Sequence, residues 1–287
     1  MTSLIAGYEA TAALSFLWLE ITGKCQLRCI HCYAESGPRG THGAMKPGDW
    51  RRVIDEAATL GTRTVQFIGG EPTLHPAISE LIGHVLSRGM IVEVFSNLVH
   101  VSSHLWSVFS QPGVRLATSY YADQDRDHEA VTGRRGSYTR TMTNIAEAVR
   151  RSIPLRVGLI NVLDEQRVEQ ARQQLETLGV TNFSTDRLRQ VGRGVGDQRP
   201  DSSQLCGGCA RAKVAVASNG DVWPCVFARW MPMGNVQATP LRDIVTVSEM
   251  EAARAKLSAP RPSTAKCAPE TPKCSPETQC QPANDPC

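Results

Sequence analysis

The sequence predicts an α/β fold, a partial and open (β/α)6 barrel followed by a small cysteine-bearing C-terminal unit. Three observations carry that expectation. Strand-like and helix-like segments alternate up to about residue 190, only six such repeats fit, and cysteines cluster after the first strand and again beyond the last repeat. Eight repeats would close a barrel, so six leave it open.

The elements follow in order. Residues 16–22 read as the first strand, rich in aromatic and β-branched side chains. Residues 47–60 have helical spacing: Trp50, Val53, Ile54, Ala57 and Ala58 share one face, and Gly61 ends the run. Five further strands are predicted at 64–68, 91–95, 114–119, 155–162 and 182–186. Helices are predicted at 77–88, 102–110, 137–151 and 164–178. Residues 119–138, which hold Asp123, Asp127, Gly133 and Gly136, read as a loop. Gly192, Arg193, Gly194 and Gly196 read as a flexible loop that ends the barrel. A second unit begins near Leu205, with a hairpin predicted at Asn219-Gly220 and one closing helix at 241–257. The expected division is 1–195 for the barrel, 196–258 for the second unit and 259–287 for a tail. That tail carries seven prolines and four cysteines, the composition of an extended segment with no core of its own.

Composition narrows the function classes. Hydrophobic residues are 41% and charged residues 21%, enough to bury a core and too apolar for global disorder. The net charge of +3 is too small to call for a nucleic-acid or membrane partner. No apolar run reaches the roughly 20 residues that span a bilayer. The apolar stretch 12–19 lacks a basic flank and a small-residue cleavage site, so it is not a signal peptide. The expected compartment is the cytoplasm, where ten cysteines are metal or cluster ligands rather than disulfides.

Cys25, Cys29 and Cys32 are separated by three and then two residues, just after the first strand. Three thiolates on one short loop can hold three irons of a 4Fe–4S cluster and leave the fourth iron open. Zinc is the alternative, and His31 inside the triplet keeps it in play. The triplet with Tyr33 directly after it resembles the signature of the radical S-adenosylmethionine (SAM) superfamily. That resemblance implies a partial TIM barrel in which SAM chelates the open iron. One electron then cleaves SAM to methionine and a 5′-deoxyadenosyl radical, which takes a substrate hydrogen.

Gly69-Gly70-Glu71-Pro72, after the second strand, matches the family's Gly-Gly-Glu motif, which implies that Glu71 accepts from the SAM ammonium. Ser96, Asn97 and Ser119, at later strand ends, look like the family's ribose and carboxylate contacts; strand-end turns or helix caps are the other reading. Arg134, Arg135 and Arg193 are candidate anion ligands, Arg193 the better placed, and solvated loop arginines otherwise. His75, His84, His100, His104 and His128 show no paired ligand spacing.

Cys206, Cys209 and Cys225, the last placed after the Gly220 hairpin, form a second ligand set, with zinc as the structural alternative. The segment is similar to the auxiliary-cluster regions of SPASM and twitch-type radical SAM enzymes, which implies one auxiliary 4Fe–4S cluster. It departs from the SPASM pattern in having no cysteine between 231 and 265. Cys267, Cys274, Cys280 and Cys287 follow with spacings unlike that pattern. One of them is a candidate fourth ligand; a further cluster and a redox-sensitive extension are the other readings.

The resemblance implies an enzyme that modifies a ribosomally made peptide, or else one acting on a small molecule. A cluster or zinc redox sensor is the non-enzymatic reading, and it leaves the Gly69–Glu71 motif unexplained. The expected partners are a reducing protein such as a ferredoxin or flavodoxin and, for a peptide, a separate leader-binding protein, because the stretch before Cys25 is short.

Overall fold

The computed structural model describes residues 11–196 and 198–257. The chain order is β1 (Phe16–Thr22), α1 (Pro47–Thr59), β2 (Thr64–Gly69), α2 (Ile78–Ser87), β3 (Ile91–Phe95) and α3 (Ser103–Phe109). It continues with β4 (Val114–Tyr120), α4 (Asp125–Thr132), α5 (Ser137–Arg150), β5 (Leu155–Asn161), α6 (Val168–Thr177) and β6 (Phe183–Arg187). The last elements are β7 (Lys213–Ala217), β8 (Asp221–Trp223), β9 (Gly234–Asn235), α7 (Leu241–Ile244) and α8 (Val247–Leu257).

All nine strands form one sheet in the order β6-β5-β4-β3-β2-β1-β7-β8-β9. The six barrel strands are parallel and sequential, as six β/α repeats require. The sheet does not stop at β1. Strand β7 pairs parallel to it, Leu17 opposite Val214, and β8 and β9 then return antiparallel. The C-terminal segment thus extends the barrel sheet and covers what would be an open strand edge.

Strand β1 is buried along its whole length because it has neighbours on both sides and packing on both faces. Its side chains alternate: Leu17, Leu19 and Ile21 join the main core beneath the helices, while Phe16 and Trp18 join a second cluster on the inner face. Helix α1 supplies Trp50, Val53, Ile54 and Ala57 to the main core. Pro47 opens that helix, and the Asp49 side chain accepts from the Lys46 N–H at 2.8 Å.

The inner face is polar at mid-depth. Arg156 on β5 forks onto Glu93 on β3 at 2.9 and 3.0 Å, and Gln66 on β2 donates to the same carboxylate. This buried ladder plugs the middle of the barrel and pairs charge across strands, while Gln66 Oε1 has no hydrogen-bond partner among the described residues. Above it, at the strand C-terminal ends, Ile68, Phe95 and Ile160 leave a cavity.

Three expectations from the sequence are corrected. Residues 125–132 are helix, not loop: Asp125 and Asp127 lie in the first turn, Gly133 ends it in a left-handed conformation, and His128, Val131 and Thr132 are buried. The closing segment is two helices, because the chain breaks at Val245 and Thr246 to bond the segment before β1 (Ala12 N–H to the Val245 carbonyl, 2.9 Å). Residues 192–195 form a 3₁₀ turn packed on the cysteine loop rather than a free flexible loop. Cys267, Cys274, Cys280 and Cys287 lie outside the described residues.

Candidate active site

The loop after β1 is folded against four neighbours. The Cys25 N–H bonds the Gly37 carbonyl at 3.1 Å, and the Arg28 and Ile30 N–H groups bond Thr132 and Val131 at the end of α4, both at 3.0 Å. From below, the Gly70 N–H reaches Thr22 and the Glu71 N–H reaches Lys24. That approach requires glycine: a Cβ on Gly70 would lie 2.2 Å from the Lys24 carbonyl oxygen, and one on Gly69 2.5 Å from that of Thr22.

Cys25, Cys29 and Cys32 line one cavity together with Gly69, Gly70 and Asn97. It encloses about 960 Å³ counting its open mouth. Tyr33 and Ser119 also line it. Eight of the ten site residues expected in the barrel are therefore brought together: the three cysteines, Tyr33, the two glycines, Asn97 and Ser119.

Glu71 and Ser96 are placed differently. The Glu71 carboxylate is fully buried and accepts from Thr73 N–H and Oγ1, Ser96 Oγ and the Asn97 N–H at 2.7–3.1 Å. Burial raises its carboxyl above the ordinary range despite these donors. Its visible work is to pin the end of β3 beneath the cavity. Ser96 Oγ in turn accepts from the Leu98 N–H at 3.0 Å, the strand-end turn that the sequence allowed.

The thiols fit a bound cationic group. Burial, then the Glu71 carboxylate, pushes the Cys25 thiol up to about 12, and burial together with the two neighbouring cysteines raises Cys29. Such thiols ionise only when a metal or cluster compensates the charge. Donors already point at the sulfur: the Leu27 N–H lies 3.4 Å and Asn97 Nδ2 3.6 Å from Cys25 Sγ. Gln26 Nε2 holds Asn97 Oδ1 at 2.9 Å and so orients that amide.

Two more residues of the cavity wall, Tyr121 and Arg187, gave no sequence signal. His31 and His128 flank Tyr121 edge-on, at 5.1 and 5.2 Å between ring centres, and burial lowers both imidazoles to about 4. They are neutral, packed walls. Arg187, at the end of β6, also lines the cavity. Among the other singled-out residues, His84 pairs with Asp55, His75 Nδ1 accepts from the Ala77 N–H, and Arg134 donates to the Gln26 carbonyl.

The second set flanks the β7–β8 hairpin, with Cys206 and Cys209 before β7 and Cys225 after β8. The Ala210 N–H bonds the Pro224 carbonyl at 3.0 Å, which sets Cys209 beside Cys225 across the hairpin. Both cysteines are buried with Phe16, Trp18 and Trp223. Backbone N–H groups again aim at sulfur, Gly208 to Cys206 at 3.4 Å and Phe227 to Cys225 at 3.3 Å, the hydrogen bonding that cluster thiolates accept.

A half-buried ion pair joins the two regions. Arg229 donates to both oxygens of Glu20, on β1, at 2.6 and 2.8 Å, and its guanidinium lies 4.1 Å from the Trp223 ring centre. The Tyr33 hydroxyl is buried next to Glu20, and its ring meets Phe227 edge-on at 5.4 Å.

An open parallel barrel thus carries a three-cysteine loop over a glycine-lined cavity, with a second set of cysteines flanking a hairpin of the same sheet. The chain belongs to the Radical SAM superfamily, whose profile matches residues 19–176, and an iron-sulfur cluster-binding SPASM domain matches residues 196–275. Membership implies a SAM-binding 4Fe–4S cluster, and the SPASM domain an auxiliary iron–sulfur cluster.

The chain is similar to the antilisterial bacteriocin subtilosin biosynthesis protein AlbA of Bacillus subtilis (strain 168), 27% identical over 180 residues, covering 61% of this chain and 40% of that protein. The sporulation killing factor maturation protein SkfB of the same strain is 28% identical over 183 residues, covering 61% and 43%. The match thus spans less than half of either relative. Streptococcus suis SuiB bound to precursor peptide SuiA superposes with a TM-score of 0.70 at 16% identity, covering 90% of this chain and 70% of that one, a likeness of fold. Among the described residues, no helix is long and apolar enough to cross a membrane.

Proposed function

We propose that this chain is a radical SAM enzyme that modifies a ribosomally made peptide. The observation that carries the reading is the convergence of Cys25, Cys29 and Cys32 with the Gly69-Gly70 backbone on one cavity at the strand C-terminal ends, where parallel α/β sheets place their chemistry. In this reading the three cysteines hold the first cluster. Cys206, Cys209 and Cys225 supply ligands to the auxiliary one, and residues 1–195 and 196–258 are the two working units. When bound, the cluster and SAM supply a 5′-deoxyadenosyl radical that removes a substrate hydrogen. The chain's own residues orient and shield that chemistry. Gly69 and Gly70 bare the backbone for close approach, Asn97 and Ser119 offer polar contacts, and Phe95, Tyr121, Ile160 and Phe227 keep water out.

The peptide class rests on the relatives: AlbA and SkfB are named for the biosynthesis and maturation of a bacteriocin and a killing factor, and SuiB was crystallised with its precursor peptide. A ferredoxin- or flavodoxin-type protein would supply the electron, and a separate leader-binding protein would deliver the peptide, in a cytoplasmic setting. The test is anaerobic reconstitution followed by SAM, dithionite and candidate short peptides encoded beside the gene. Production of 5′-deoxyadenosine with a mass change in a peptide supports the reading. Turnover of a soluble metabolite alone would replace the peptide by a small molecule, and a filled cluster that never cleaves SAM would leave the redox-sensor reading.

A further inference from the structure

Arg193 makes three hydrogen bonds to the cysteine loop from the far side of the barrel. Its N–H bonds the Cys32 carbonyl at 3.1 Å, Nε the Cys29 carbonyl at 2.8 Å and Nη2 the Ser36 carbonyl at 2.9 Å. The guanidinium fork fits two carbonyls of one curved loop, which a lysine could not span in the same plane. Arg193 forms no ion pair with a described carboxylate, so its charge is spent on the loop and not neutralised beside it. Gly192 makes the approach possible: its φ is +56°, and a Cβ there would lie 2.3 Å from the Tyr33 carbonyl oxygen and 2.5 Å from that of Cys32.

We propose that Arg193 is a positioning residue of the first cluster, which holds the Cys25–Cys32 loop in its ligating shape and raises the cluster's reduction potential. Two physical effects act together. Three carbonyls of the ligand loop are held by this one residue, which fixes where the sulfurs sit. A cation at this range also stabilises the reduced cluster, which carries one more negative charge than the oxidised one, in surroundings of low dielectric. The inference rests on Cys25, Cys29 and Cys32 being the first cluster's ligands.

The experiment uses the full chain, reconstituted anaerobically, as wild type, Arg193→Lys and Arg193→Gln. Iron and sulfide per chain are measured, and the first cluster is titrated potentiometrically through the electron paramagnetic resonance signal that SAM perturbs. The Gln variant is expected to show a lower midpoint, about 59 mV for each tenfold loss of reduced cluster at fixed reductant. Its iron content is expected to fall as well. The Lys variant, which keeps the charge and loses the fork, is expected to retain the wild-type midpoint in whatever cluster it holds while also losing iron. A Gln variant with wild-type iron and midpoint overturns the proposal, as does a Lys variant whose midpoint falls as far as that of Gln. A wild-type protein with no SAM-perturbed signal would instead overturn the ligand assignment itself, so the two failures are distinguishable.

Discussion

Cys25, Cys29 and Cys32 line an open cavity beside an amide and bare glycine backbone, whereas Cys209 and Cys225 are packed among Phe16, Trp18 and Trp223. The first set has room for a ligand; the second is walled by indole and phenyl rings. Yet both hang from the same strand, since β1 leads into the first loop and pairs with β7, which carries the second hairpin. The difference teaches that ligand access is set by what surrounds the thiols and not by the cysteines themselves. A cluster facing a cavity can meet SAM, while one buried in an apolar wall can serve electron transfer or structure.

That contrast can be broken most severely at the first loop. Cys29→Ala is expected to abolish 5′-deoxyadenosine formation, because two remaining thiolates hold a cluster poorly. Persistent cleavage at the wild-type rate would remove the triplet from the chemistry. Cys225→Ala is the mirror experiment: auxiliary iron and modified product should be lost. SAM cleavage should stay within about twofold, as expected for independent sites coupled by less than ~0.5 kcal/mol. A matching collapse of SAM cleavage would show that the two regions act as one.

Gly192→Ala sharpens the comparison by touching the first loop without touching a cysteine. The left-handed strain of ~1–2 kcal/mol, added to the carbonyl clash, should cut first-cluster iron and SAM cleavage about tenfold. Auxiliary iron should be spared. Glu20→Gln tests the bridge between regions: it leaves Arg229 unpaired and should destabilise the fold by about 2 kcal/mol, less than the ~3–5 of a fully buried pair because Arg229 is 29% exposed. Urea denaturation of the reconstituted protein reads this directly, and no change would make the pair a bystander. Ser96→Ala is the mildest: a buried carboxylate loses one of its donors, at about 1 kcal/mol. Isothermal titration should show weaker SAM binding through the loosened Asn97 loop, with both iron contents unchanged.

Much of this architecture was legible before any tertiary information. The six barrel strands fall within about two residues of their expected positions, since buried parallel strands are runs of apolar and β-branched residues. The cysteine triplet and Gly69-Gly70 are legible because close ligand spacing and paired glycines have few other uses at a strand end. Helix α4 escaped because Asp127 and Gly133 are read as turn residues by the same chemistry that makes them helix ends. Sequence by itself determined the kind of sheet and the spacing of the cysteines along it.

Only the tertiary structure decided how those groups are supported. Arg193 reaches Cys29 across 164 residues and Arg229 reaches Glu20 across 209. Likewise, β7 completes a sheet begun some two hundred residues earlier. Local periodicity and spacing carry no record of such pairings, because they depend on where the folded chain returns and not on which residues are near in sequence. For the same reason the bonds by which Glu71 braces Ser96 and Asn97 are not written in its motif.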